Sequence, residues 1–309
     1  MNNKAFKRLL AAASLLSSTQ MGKLSKVLET RQSSLDSLRS LRDHEPKICP
    51  HCSGRLSRNG LQNQIQRFLC RTCHKSVSSV TLTPLSRVQD KEKLAQFADC
   101  MRQGFTLRKT ATIMGFTLDR VFRWRHMFLQ KVVNHQPSGL VGLVELDETY
   151  FRESRKGEHG LAAPRQRGEL AALVPVLVGR ARGQAYTFDK VLPSMETDDV
   201  VNALKGSVDK ETTVLCMDGN ASLLAAAEEL KIVSCTFVAS EPMEGNKHVQ
   251  SVNSYHQRLK NWINNDLRGV ATKYLPHYLA WQRLRTWDHK SLTTAGYLAS
   301  ALDHQIINL

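Results

Sequence analysis

The chain has 309 residues, 41% hydrophobic and 23% charged, which is room for two or three domains and at least one sizeable core. This composition excludes a mostly disordered chain, a collagen-like repeat and a disulfide miniprotein, and no stretch approaches the roughly 18 uncharged apolar residues that a membrane helix needs. Lys and Arg number 43 against 28 Asp and Glu, a net charge of +15, and the excess is confined to one half: residues 1–140 carry 24 basic and 8 acidic residues (+16), residues 141–309 carry 19 and 20 (−1).

Such asymmetry suggests a polyanion-binding half joined to a half with other work. Residues 1 to about 45 read as helical, Leu-rich and basic. Their start faintly resembles a signal peptide, but Ser14 interrupts the apolar run and no small-residue cleavage site ends it. Leu9, Leu10 and Leu16 fit one face of an amphipathic helix. Pro46 closes this stretch, because a residue before proline avoids the helical region. Residues 46–83 hold two CxxC pairs among polar, β-prone segments, up to Pro84. From Asp90 to about Lys131 the pattern is helical, divided into three pieces at Gly104 and Gly115. His135–Gly139 reads as a linker.

Beyond the linker the pattern changes. Gly142–Asp147 alternates into a strand that ends in acids. Leu173–Val178 is a buried-strand run and Gln184–Lys190 alternates again, so the three can form a meander. Thr197–Val208 reads as a helix with Thr197 and Asp198 as candidate caps. A strand, Thr212–Met217, ends at Asp218. Ala221–Lys231 is helical, Val233–Val238 is a fifth strand, and Val249–Asn264 is a long amphipathic helix. The order is βββαβαβα, an α/β arrangement with a mixed sheet. Residues 291–309 carry no readable signal.

Cys49-Pro-His-Cys52 and Cys70-Arg-Thr-Cys73 are separated by 17 residues. Two such knuckles supply four thiolates to one tetrahedral Zn²⁺, at the separation of a zinc ribbon. The metal would fold a segment too small and polar to hold itself together. A redox pair would need a βαβ framework, which is absent here. His51 and His74 lie beside the knuckles, but four cysteines already complete the shell. Cys100, Cys216 and Cys235 read as core residues, and seven cysteines used in this way fit a reducing compartment.

Gly104–Thr117 has helix-turn-helix character. Ala111 is small where two helices cross, Gly115 supplies the turn and Thr117 can cap the next helix. The N-terminal part of such a helix enters the major groove. Arg108, Lys109, Arg120, Arg123 and Arg125 are therefore the candidate contacts to phosphates or guanines, with Phe122 and Trp124 as core residues.

Asp147 and Asp218 end the first and fourth predicted strands, which are central neighbours in an RNase H-like order. Two carboxylates forced together are costly unless divalent cations hold them, and Mg²⁺ prefers such oxygen ligands. Two metals about 4 Å apart can activate a water or a 3′-hydroxyl in phosphoryl transfer. Glu145 and Glu148 flank Asp147 and are expected on the opposite strand face. Glu241 and Glu244 precede the last helix and read as solvated loop acids. His248 and His256 receive no assigned role.

Here the chain resembles the insertion-sequence transposases of the ISXO-like group. The resemblance rests on the two CxxC pairs, "TLRKTATIMGFTLDRVFRWRH", "VELDETYF", "CMDGN" and "HVQSVNSYHQRLKNWI", and spans residues 45–285. It implies 1–45 as an N-terminal helical segment, 46–83 as a zinc ribbon, 84–135 as a helix-turn-helix domain, 136–290 as an RNase H-like catalytic domain and 291–309 as a tail. It places the first two catalytic acids on Asp147 and Asp218, and the third position on Asn253, where most DDE enzymes have Glu. An amide oxygen can coordinate Mg²⁺ but adds no charge. Lys260 lies two turns after Asn253, about 10 Å along the same helix face, a reach that suits a phosphate near the scissile bond. The basic hairpin with Arg155, Lys156, Arg165 and Arg167 is expected to meet DNA.

The activity implied is Mg²⁺-dependent (or Mn²⁺-dependent) cleavage and strand transfer at terminal inverted repeats. The implied partners are end and target double-stranded DNA, in a homodimer or larger synaptic complex, and the implied location is the prokaryotic cytoplasm, on the nucleoid. Asn253 keeps open a decayed, regulatory DNA-binding protein. A structure-specific nuclease is a third reading, which the helix-turn-helix argues against.

Overall fold

The structure is a computed structural model and describes residues 3–43, 45–62, 65–134, 136–137, 139–157, 172–183, 186–236, 250–287 and 293–302. The chain divides into two compact units, one of residues 1–121 with 293–309 and one of residues 122–292. The division falls inside a helix, α5 (Leu118–Val132), rather than in the linker at 135–139.

The first unit begins with α1 (Asn3–Ala13) and α2 (Ser18–Asp43). The apolar stripe expected on α1 is not covered: Leu9 and Leu10 are exposed, and Leu16 lies beyond the helix end. A three-stranded antiparallel sheet follows, β1 (Leu56–Gln62), β2 (Ile65–Cys70) and β3 (Ser76–Val77). Next comes α3 (Leu94–Arg102), which buries Leu94, Phe97, Ala98 and Met101 on the apolar face that its 3.6-residue spacing creates. α4 (Leu107–Met114) is capped by Thr106, whose hydroxyl accepts from the Lys109 N–H, and is ended by Gly115 at φ 64°, a left-handed position that favours glycine. Thr117 then accepts from the Arg120 N–H and starts α5.

The tail is not featureless. It forms α10 (Thr294–Leu302), which buries Tyr297, Leu298, Ala301 and Leu302 and packs on α2 and α3. The Thr294 hydroxyl donates to Asp99.

The second unit is built on a five-stranded sheet of β4 (Leu140–Arg152), β5 (Leu173–Ala181), β6 (Thr187–Val191), β7 (Val208–Met217) and β8 (Val233–Thr236). Its order is β6-β5-β4-β7-β8. β4, β5 and β6 form the antiparallel meander, while β7 and β8 run parallel to β4. With α6 (Thr197–Leu204), α7 (Ala221–Glu229) and α8 (Gln250–Asn261) between and after the strands, the order is the expected βββαβαβα, consistent with an RNase H-like core. α6 is shorter than expected and starts after Glu196, not after Thr197 or Asp198. α8 passes into a π-turn at Trp262–Asp266, and α9 (Leu275–Trp287) packs on β6.

Strand alternation sorts side chains to the two sheet faces. Val144, Leu146, Leu177, Leu215 and Met217 point to one face, where they form a core with Val200, Leu204, Leu223 and Ala226 of α6 and α7. Glu145, Asp147 and Thr149 point to the other, which α8 covers. There Tyr255 of α8 donates to Asp189 of β6 (2.5 Å), and Arg283 of α9 pairs with the same carboxylate. Among the described residues no helix is long and apolar enough to cross a membrane.

Candidate functional site

The four cysteines Cys49, Cys52, Cys70 and Cys73 come together. Their sulfurs all lie within 4.8 Å of one another, with Cys49–Cys73 at 3.7 Å and Cys52–Cys70 at 3.5 Å, and none is in a disulfide. Tetrahedral thiolates about 2.3 Å from Zn²⁺ stand roughly 3.8 Å apart. The two knuckles are built alike. Each CxxC is followed by a residue in the left-handed region, Ser53 and His74, whose N–H returns to the carbonyl of the first cysteine. Gly54 is required beside them, since a Cβ there would stand 2.4 Å from the Thr72 hydroxyl. The N–H groups of Cys73 and Thr72 turn toward the Cys70 sulfur, and with the Cys73 N–H as the largest cause the Cys70 thiol falls to about 6. The donor set fits a tetrahedral metal such as zinc.

The candidate DNA contacts separate. Arg108, Lys109 and Arg123 are exposed, with the Lys109 ammonium over the Phe105 ring. Arg120 is half-buried, ion-paired with Asp90 and stacked on Phe116. Arg125 departs from expectation: it is 1% exposed, its guanidinium over the Trp281 ring. A long cationic side chain can spend its apolar stem and planar head on an aromatic face. Arg155 pairs with Glu153, and the Lys156 ammonium donates to the Arg268 and Gly269 carbonyls. Arg165 and Arg167 lie outside the described residues, as do Glu241, Glu244 and His248.

The second cluster forms where the parallel ladder stops. β4 and β7 pair as far as Glu145 and Cys216, and β7 ends one residue later. β4 does not end at Asp147, as its acids suggested; it continues along β5 to Arg152. Asp218 leaves the end of β7 beside Asp147. One oxygen each of Asp147, Glu148 and Asp218 lies within 4.8 Å of the others.

Glu148 was expected on the opposite face, and its backbone position is there. With β7 ended, no strand separates the two faces, and the longer glutamate side chain reaches the same point. Adjacent acids on a strand that outruns its neighbour are the signal that marks it. Glu148 Oε1 accepts from Asn220 Nδ2 at 3.0 Å, while its buried Oε2 has no partner among the described residues. The Glu148 N–H donates to Asp147 Oδ1 and the Asn220 N–H to Asp218 Oδ1.

Burial, then the charges of Asp218 and Glu148, push the Asp147 carboxyl up to about 7, against the opposing pull of the Glu148 N–H and Lys260. Carboxylates so close repel unless a proton or a cation sits among them. The all-oxygen donor set suits a hard divalent ion.

α8 lies across this point. Asn253, His256 and Lys260 share one helix face; Asn253 is exposed and His256 buried. His256 Nδ1 stands 3.6 Å from Asp147 Oδ2. Burial, then Lys260, push the His256 imidazole down to about 4, so at neutral pH it is uncharged and the contact is not an ion pair. Lys260 also lines a cavity of about 580 Å³ with Tyr150, Ser154 and Asn264. Burial, then the charges of Glu148 and Asp147, push the Tyr150 hydroxyl up.

Glu145 also departs from expectation. It shares the Asp147 face, is fully buried, and accepts from Arg182 and from the backbone of α8.

Residues 139–285 match the family model of the ISXO2-like transposase domain. No curated protein matches the chain. Among solved structures, the catalytic core domain of BIV integrase is 14% identical at a TM-score of 0.27, covering 52% of this chain and 80% of that one. A pre-cleavage Mos1 transpososome is 10% identical at 0.23, covering 69% and 79%. The Mos1 mariner paired-end complex with Mn is 10% identical at 0.23, covering 68% and 78%.

Proposed function

We propose, from the match of residues 139–285 to the ISXO2-like transposase domain model, that the protein is a DNA transposase that cleaves and joins DNA strands at the terminal inverted repeats of an insertion sequence. The observation that carries this is the meeting of Asp147, Glu148 and Asp218 where β7 ends and β4 runs on. Asp147 and Asp218 would hold Mg²⁺, or Mn²⁺ in its place. Glu148 supplies the third carboxylate, so the site keeps three negative charges although Asn253 stands where related enzymes carry Glu. Asn253 would add a neutral oxygen from α8. A divalent ion bound there would activate the attacking water or 3′-hydroxyl and stabilise the leaving oxygen.

The remaining groups orient and exclude. Lys260 places a cation beside the site for a phosphate of the bound strand. His256 stays neutral and closes the inner side of Asp147 to water. In the basic N-terminal half, α4 and the start of α5 would bind end DNA through Arg108, Lys109 and Arg123, and the four cysteines would hold a structural zinc that folds residues 46–83. Joining two ends calls for at least a dimer, acting on the nucleoid.

The test is a Mg²⁺-dependent strand-transfer assay on DNA carrying the repeats that flank the gene, with wild type, Asp218→Ala and Asn253→Glu. Joining by wild type and its loss in Asp218→Ala is the expected outcome. Specific end binding without joining, restored by Asn253→Glu, would instead identify a DNA-binding protein with a decayed catalytic domain.

A further inference from the structure

We infer that Glu145 is a positioning residue: it fixes where α8 begins on the sheet, and so sets how His256 and Lys260 stand against Asp147. This rests on the transposase reading for its consequence in DNA joining, but not for its geometry.

Glu145 lies two residues before Asp147, on the same face of β4, and its side chain is 0% exposed. Both carboxylate oxygens are used. Oε1 accepts from Arg182 Nε at 2.9 Å. Oε2 accepts from the backbone N–H groups of Ser251 at 2.8 Å and Val252 at 3.0 Å. These amides are in the first turn of α8, whose N–H groups have no partner within the helix. A carboxylate there meets both the free donors and the positive end of the helix dipole, and Arg182 balances its remaining charge.

The contact is a ruler as well as a cap. It ties the start of α8 to a strand position two residues from the first candidate metal ligand. His256, 3.6 Å from Asp147, is little more than one turn further along the helix. Another hold on α8 is the bond from Tyr255 to Asp189 of β6. That bond fixes the helix laterally against an outer strand. Glu145 fixes it along the central one.

Replacement by glutamine is not conservative here. A carboxamide has one acceptor oxygen, and its NH₂ must face either Arg182 or the two α8 amides, donor against donor. Arg182→Gln is the matched control. It removes the same ion pair but leaves Oε2 on the helix. A role in stability alone predicts that the two variants behave alike, because both break one buried pair. A positioning role predicts that they differ.

The experiment compares full-length wild type, Glu145→Gln and Arg182→Gln by thermal midpoint, amide hydrogen exchange and Mn²⁺ broadening of the labelled His256 ring and Asn220 side-chain amide. Both variants should melt earlier. Only Glu145→Gln should speed exchange at residues 251–253, by about tenfold or more. Only in that variant should Mn²⁺ broaden His256 less while still broadening Asn220. Joining should fall roughly 10²-fold at unchanged DNA affinity, the usual scale for a small misplacement of catalytic groups. Equal loosening of α8 in both variants, or unchanged exchange in Glu145→Gln, overturns the inference. If Mn²⁺ broadens neither probe in wild type, the metal reading of the site fails, and the exchange comparison still decides the part played by Glu145.

Discussion

Asn220 donates its side-chain Nδ2–H to Glu148 Oε1 across 3.0 Å while its own Oδ1 caps α7, accepting from the Ser222 and Leu223 amides. One residue thus starts a helix and aims a carboxylate at the Asp147–Asp218 cluster. Asn220→Ser keeps an N-cap oxygen but removes the donor to Glu148. The expected result is a thermal midpoint close to wild type with Mn²⁺ affinity roughly tenfold weaker, within the range for losing a group that orients a metal ligand. An electron-paramagnetic-resonance titration measures it, and unchanged affinity would show that the aim of Glu148 does not matter.

The raised carboxyl of Asp147 gives metal binding a pH dependence. Its folded value of about 7 lies above its ordinary 3.8. Between those values the metal-free folded state holds a proton that the unfolded chain has lost, so this group favours folding at low pH and loses that contribution as pH rises through about 7. A divalent ion must displace the same proton. Its apparent affinity should climb by about tenfold per pH unit up to about pH 7 and level off above it. A flat profile between about pH 5.5 and 8.5 would contradict a buried, proton-bound Asp147.

Removing the metal from the four-cysteine cluster should unfold residues 46–83. Among the described residues the small sheet around that cluster buries Ile65, Phe68 and Val77 beside the cysteines Cys49 and Cys70, too little apolar surface to offset the entropy of ordering the segment. Chelation, or Cys70→Ser, should abolish the zinc content, reduce the circular-dichroism signal and weaken end binding. Verified zinc loss with unchanged spectrum and affinity would refute a folding role.

Two arginines two residues apart on α5 should behave differently. Arg123 is exposed, whereas Arg125 is buried against Trp281. Arg123→Ala should lower DNA affinity and reduce the log–log salt slope by about 0.9 if one phosphate contact is lost, with the thermal midpoint unchanged. Arg125→Ala should lower the midpoint by several degrees, as expected for a core truncation leaving a cavity beside an indole. The reverse pattern would contradict the burial of Arg125 against Trp281.

Much of this architecture is legible in the residues. The meander, the strand that ends at Asp218 and the amphipathic α8 follow from alternation and helical spacing, and the knuckles from the spacing of their cysteines. What local pattern does not carry is where a neighbouring strand stops. The backbone of Glu148 faces away from Asp147, as alternation along β4 expects, and only the end of β7 lets its side chain reach the cluster; Glu145 and Asp147 share a face by that same alternation, and what its segment does not carry is the helix that Glu145 caps a hundred residues later. Arg125 follows the same rule: an amphipathic reading sends cations outward, and only the folded chain brings Trp281 beneath it. α10 escaped notice because its small residues suit a helix only when α2 and α3 are there to cover it.

The return of α10 to the first unit has a consequence for synthesis. A ribosome releases α2 and α3 early, but the helix that covers them is encoded after the whole five-stranded unit. At roughly 5–20 residues per second, the basic unit waits on the order of ten to forty seconds with that face bare. It can close only once the second unit has left the ribosome. A message cut short after α9 would leave α2 and α3 without the helix that packs on them. The position of one nine-residue helix thus makes completion of the first unit wait on synthesis of the second.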